Sequence, residues 1–89
     1  MTECTLKIVN EKGLHARASA KLVEVVEGFD ASAEVSKDGL SASGDSIMGL
    51  LMLAASKGSF IDITTSGPDA DALAEALTTL VSDKFGEGQ

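Results

Sequence analysis

Polar and apolar positions alternate at the start of the chain. Cys4, Leu6 and Ile8 fall on one face and Thr5 and Lys7 on the other, which predicts a strand over residues 3–9 with the first set inward. A loop follows at Asn10-Glu11-Lys12-Gly13. The period then changes. Leu22, Val23 and Val26, with the small Ser19 one turn earlier, share a face of a helix over residues 16–27. Gly28 ends that helix, and Lys21, Glu24 and Glu27 are expected in solvent. Alternation returns over residues 32–36 with Ala33 and Val35 inward. Asp38-Gly39 marks a hairpin turn into a short strand over 40–43. Ser46 suits the N-cap of a helix over 47–56, closed by Gly58. Residues 60–65 read as a strand with Ile61 and Ile63 on one face. Gly67-Pro68-Asp69 breaks that strand and starts a helix over 70–83, with Leu73, Ala76, Leu77, Leu80 and Val81 inward. The order βαββαβα implies an α+β fold. It is an open-faced sandwich, a four-stranded, mainly antiparallel sheet covered on one face by three helices.

Composition narrows the field. Eighty-nine residues make one domain, 1–89, with a short polar tail at 86–89. There are three Phe and no Trp or Tyr, so the core must come from Leu, Ile, Val, Ala and Met. A net charge of −7 argues against nucleic acid or an anionic membrane as partner. One cysteine allows no internal disulfide, and one His with one Cys is too few for a metal site. No cofactor is implied. Without a secretory signal or a spanning apolar run, the expected location is the cytoplasm, and the expected state is a monomer.

The candidate chemistry gathers at Lys12-Gly13-Leu14-His15-Ala16-Arg17-Ala18, which holds the one histidine. His15 stands where a strand hands over to a helix, just past a glycine able to turn tightly. A helix start offers unbonded N–H groups, here at Ala16 and Arg17, and the positive end of the helix dipole. Arg17 adds a forked cation suited to phosphate. An imidazole beside such an anion site is placed to receive and pass on a phosphoryl group. Position alone also fits a surface histidine or a cap. Two other classes therefore stay open at this point: a small anion-binding regulatory module without covalent chemistry, and an interaction domain with an incidental histidine.

Residues 47–56 are apolar on nearly every side, more than one buried face needs. Leu50, Leu53 and Ala54 are expected in the core. Ile47, Met48, Leu51 and Met52 are expected to form an exposed docking patch, for which methionines are well suited.

Gly13-Leu14-His15-Ala16-Arg17 resembles the active-site motif of HPr, the histidine phosphocarrier of the bacterial phosphoenolpyruvate phosphotransferase system. Ser46 to Ala55 resembles the family's regulatory-serine segment, and Lys57-Gly58 and Gly67-Pro68 also match, so the likeness spans essentially the whole chain. Gly28-Phe29-Asp30-Ala31 and Leu50-Leu51-Met52-Leu53 resemble the nitrogen-related branch, often called NPr. Ala18 departs from the proline usual there. The resemblance implies an HPr-like fold and a stoichiometric carrier rather than an enzyme. His15 would carry the phosphoryl group on Nδ1, with Arg17 and the backbone of Ala16 and Arg17 binding it. The donor would be Enzyme I and the acceptor an EIIA-type domain, in sugar or nitrogen regulation. Ser46 would be a target of HPr kinase/phosphorylase.

Overall fold

The strands pair as the alternation requires. In a computed structural model, which describes residues 1–86, β1 (Thr2–Lys7) is followed by α1 (Ala16–Glu27), then β2 (Ser32–Lys37) and β3 (Leu40–Ser43). Next come α2 (Ile47–Met52), β4 (Phe60–Ser66), α3 (Ala70–Ser82) and a 3-10 turn at Lys84–Gly86. Residues 87–89 of the expected polar tail lie outside the described residues. The sheet order is β1-β4-β2-β3, and each of its three pairings is antiparallel. The fold is α+β, an open antiparallel sheet with three helices.

Register explains why only one face is covered. Cys4, Ile63, Val35 and Ala42 line up across the four strands in one row. The adjacent row is Thr5, Asp62, Ser36 and Ser41. Adjacent rows face opposite ways, so the first packs under the helices and the second meets water. Thr5 Oγ1 donates to Asp62 Oδ1 at 2.6 Å on the wet face. Ile61 and Ile63 are buried on the dry face, as expected, with Ala33 and Val35 beside them. Cys4 is half-buried and packs against this core.

The helices close the core with Leu22, Val23 and Val26 from α1, Leu50 from α2, and Ala70, Leu73, Ala74, Leu77 and Val81 from α3. On α3 the expected Ala76 and Leu80 are only half-buried, because the buried stripe runs through Ala70 and Ala74 instead. Asp38 and Gly39 take φ of 51° and 84°, the two left-handed positions that a two-residue hairpin needs. No helix among the described residues is long and apolar enough to cross a membrane.

Three further expectations are corrected. Helix α2 stops at Met52 rather than continuing to 56, because Ala54 takes a left-handed φ of 52°. That turn exposes Ala54 and sends Ala55 inward in its place. Lys21 is half-buried rather than in solvent, because its Nζ donates to the Phe85 carbonyl at 2.6 Å. Phe85 itself is fully buried, although it lies beyond the last helix. A buried side chain of this kind contributes about 1.5–3 kcal/mol, which ties the 3-10 turn to the core.

Candidate functional site

The segment between β1 and α1 is held from two sides. Ile8 extends the pairing of β1, donating to the Ser59 carbonyl at 2.8 Å and accepting from the Gly58 N–H at 2.8 Å. Leu14 donates to the Ala55 carbonyl at 2.8 Å. Gly13 sits at φ 64°, and a Cβ there would lie 2.4 Å from the Ala55 oxygen and 2.8 Å from Ser56 Cα. Only glycine fits this place, both for its backbone angle and for the closeness of the facing chain. This contact also accounts for the early end of α2, because the chain must turn at Ala54 to bring Ala55 against Leu14.

His15 is the N-cap residue of α1, extended at φ −83° and ψ −174°. Its carbonyl accepts the Ser19 N–H at 2.8 Å and so starts the helix ladder. Its ring does not cap. Nδ1 lies 3.0 Å from the Gly13 carbonyl. A carbonyl can only accept, so Nδ1 is the donor, and in the neutral ring the lone pair lies on Nε2. The same carbonyl accepts Asn10 Nδ2 at 2.8 Å. Asn10 is fully buried and thus helps fix the atom that orients the histidine. Attack through Nδ1 requires that the bond to Gly13 open and that the proton move to Nε2.

The half-buried ring opens onto a pocket of about 540 Å³, shared with Glu11, Lys12, Ala16, Arg17, Lys21 and Gly86. Ala16, Arg17 and Ala18 occupy the first turn, whose N–H groups have no acceptor within the helix. Ala18 is fully buried on the core side of that turn. Lys12, Arg17 and Lys21 bring positive charge to the pocket. Glu11 is engaged by Lys57, with Nζ to Oε1 at 2.6 Å. That hydrogen bond, and then the charge of Lys57, hold the Glu11 carboxyl below its ordinary value of 4.5; Lys84 adds a lesser pull. Lys12, Arg17, Lys21, Lys57 and Lys84 are five of the seven Lys and Arg in an acidic chain; the first three line the pocket and the other two act on its Glu11.

Ser46 and the apolar patch do not line the pocket. Ser46 is the N-cap of α2 and its Oγ accepts the Gly49 N–H at 3.1 Å. Ile47, Met48 and Met52 are exposed, at 39%, 70% and 75%, while Leu51 is half-buried. Helix α2 packs against α1, and the strand of chain leaving it carries Ala55 to Leu14. Patch and pocket are therefore tied through one short segment. Asn10, Lys21 and Phe85 are the residues of this region that sequence reasoning passes over. The nearest signal is the lone Phe85 amid polar residues after α3.

The family described as the PTS HPr component phosphorylation site matches residues 2–83. The chain is 44% identical over 82 residues to the phosphocarrier protein HPr of Cupriavidus necator, covering 92% of each. It is 41% identical over 85 residues to the phosphocarrier protein NPr of Shewanella violacea, covering 96% of this chain and 93% of the other. A crystal structure of HPr from Thermoanaerobacter tengcongensis superposes with a TM-score of 0.93 at 37% identity, over 98% of both chains. The chain belongs to the HPr family and is a phosphocarrier of the phosphotransferase system. Its role is that of a carrier rather than a catalyst.

Proposed function

We propose that this HPr-family phosphocarrier bears its phosphoryl group on His15, as a single domain over 1–89. The observation that carries this reading is the place of His15: half-buried at the start of α1, with its ring in a pocket that also holds Lys12, Arg17 and Lys21. Transfer of this kind rests on positioning and charge stabilisation more than on covalent help from the protein. Once the bond to the Gly13 carbonyl opens and the ring proton moves to Nε2, the His15 Nδ1 lone pair attacks phosphorus in line. The bond from phosphorus to the donor breaks, and the donor leaves with the electron pair. Nε2 then bears the ring proton. The N–H groups of Ala16 and Arg17 and the Arg17 side chain receive the phosphoryl oxygens. Binding must stay moderate, because the group has to move on.

The donor is Enzyme I charged by phosphoenolpyruvate, and the acceptor an EIIA-type domain, reached by a monomer in the cytoplasm. Ile47, Met48, Leu51 and Met52 form the surface that both partners cover. Phosphorylation of Ser46 by HPr kinase/phosphorylase would place about −1.5 to −2 charges beside that surface and hinder docking.

Intact mass after incubation with phosphoenolpyruvate and Enzyme I tests the reading. The wild type gains one acid-labile phosphoryl group and His15→Ala gains none. No gain by the wild type with an active Enzyme I refutes it and leaves the pocket as a plain anion site. A gain by His15→Ala moves the group elsewhere.

A further inference from the structure

Lys21 lies four residues after Arg17 on α1, so the two side chains share a face. Long helical side chains lean back over the preceding turn, which carries the Lys21 ammonium toward the His15 end. It lines the same pocket as His15 and Arg17. Its direction is imposed by the C-terminal turn. Nζ donates to the Phe85 carbonyl at 2.6 Å, and a Cβ on Gly86 would lie 3.1 Å from Nζ. Lys84, Phe85 and Gly86 run left-handed in succession, at φ 56°, 55° and 76°. Two of these are not glycine, and the buried Phe85 ring holds the turn in that unfavourable conformation. The backbone is thus strained locally at the place where its carbonyl meets Lys21. An ammonium has three donors, and the Phe85 bond uses one.

We propose that Lys21 is a second phosphate-binding cation of this site, aimed into the pocket by the Phe85 carbonyl, so that the phosphoryl group on His15 is received by Lys21 together with Arg17. This rests on the reading of His15 above. The bond to Phe85 selects where the ammonium sits before the phosphoryl group arrives, and its remaining donors face that group. Lys12 reaches the pocket from the loop, whereas Lys21 is fixed at both ends, by helix and by turn.

The test is the ³¹P resonance of the isolated phosphoprotein, followed against pH, so that partner docking does not enter. Lys21→Gln keeps a donor for the Phe85 carbonyl and removes the charge. Loss of a cation disfavours the dianionic phosphoryl form, so the titration midpoint rises by about half a pH unit or more. Lys21→Arg returns it to the wild-type value. In the wild type, the resonances of the Lys21 side chain shift on phosphorylation, a readout that needs no variant. An unmoved midpoint in Lys21→Gln, or a Lys21 side chain indifferent to phosphorylation, overturns the proposal and leaves a purely structural latch. Wild type that takes no phosphoryl group overturns both this and the His15 reading; wild type that takes it normally, with an unmoved midpoint in Lys21→Gln, overturns this one alone.

Discussion

Replacing Gly13 with alanine separates two costs that the structure assigns to one methyl group. The backbone at φ 64° is left-handed, which for a residue with Cβ costs about 1–2 kcal/mol. The new Cβ would also stand 2.4 Å from the Ala55 oxygen and 2.8 Å from Ser56 Cα. Those neighbours are backbone, so relief requires the loops themselves to part, an overpacking cost of about 1–3 kcal/mol. The sum is about 2–5 kcal/mol, a large share of the roughly 5–15 kcal/mol that a small domain has to lose. Gly39→Ala supplies the control, because Gly39 is left-handed at 84° with nothing within 4 Å of the added Cβ. It should lose the angular part alone. Urea unfolding of the two variants at unchanged m reads the difference directly. The Gly13 carbonyl is also the acceptor for His15 Nδ1 and Asn10 Nδ2. Gly13→Ala should therefore change the rate at which phosphoryl groups are accepted, while Gly39→Ala accepts them at the wild-type rate. Equal destabilisation by the two substitutions would refute the steric argument. Normal acceptance by Gly13→Ala would refute the link to His15.

Asn10→Ala removes one of two donors to the Gly13 carbonyl inside the core and should destabilise by about 1–3 kcal/mol in urea unfolding; a loss under about 0.5 kcal/mol, the usual surface value, would show that His15 alone holds that carbonyl. Met48→Glu places a charge on a side chain that is 70% exposed, so its urea midpoint should match the wild type while transfer from Enzyme I and to EIIA slows. Normal transfer in that variant would remove the docking role of the patch. Glu11 is held below its ordinary 4.5 in the folded protein, chiefly by the hydrogen bond from Lys57. Its contribution is present above the unfolded value and disappears as pH falls through the lower folded value. The small gap in urea midpoint between wild type and Glu11→Gln should therefore be open at pH 7 and close in acid; a gap that widens in acid reverses the sign.

The sheet was legible because its rows depend on alternation, and alternation survives in the letters: Cys4, Ile63, Val35 and Ala42 are small or apolar, and the row beside them is polar. Helix α1 and the position of His15 followed from a change of period across a glycine. The end of α2 was not legible. Leu53, Ala54 and Ala55 are good helix formers, and their local preference is overridden by a bond from Leu14 that lies far away in sequence. Lys21 shows the same limit from the other side. Periodicity assigns it to solvent, and nothing in its neighbours announces a carbonyl arriving from Phe85. Asn10 reads as an ordinary loop residue because its partner is a backbone oxygen, which every residue carries. Phe85 was hidden by its two left-handed neighbours in conformation, Lys84 and Gly86, of which only the glycine advertises such a turn.

The gathering of Lys12, Arg17 and Lys21 in the His15 pocket, with Lys57 and Lys84 acting on its Glu11, has a consequence for how the molecule meets anything at all. A body with net charge −7 and a cluster of cations on one side has an electrical axis that points through that cluster. In the field of an acidic surface such a body experiences a torque before it touches, and it turns that cluster forward. Collisions are then productive more often than random tumbling allows, without any gain in the strength of the final complex. The advantage fades as salt shortens the reach of the field to about 8 Å at physiological ionic strength. For an acidic partner, the placement of a few lysines would thus set the rate of arrival.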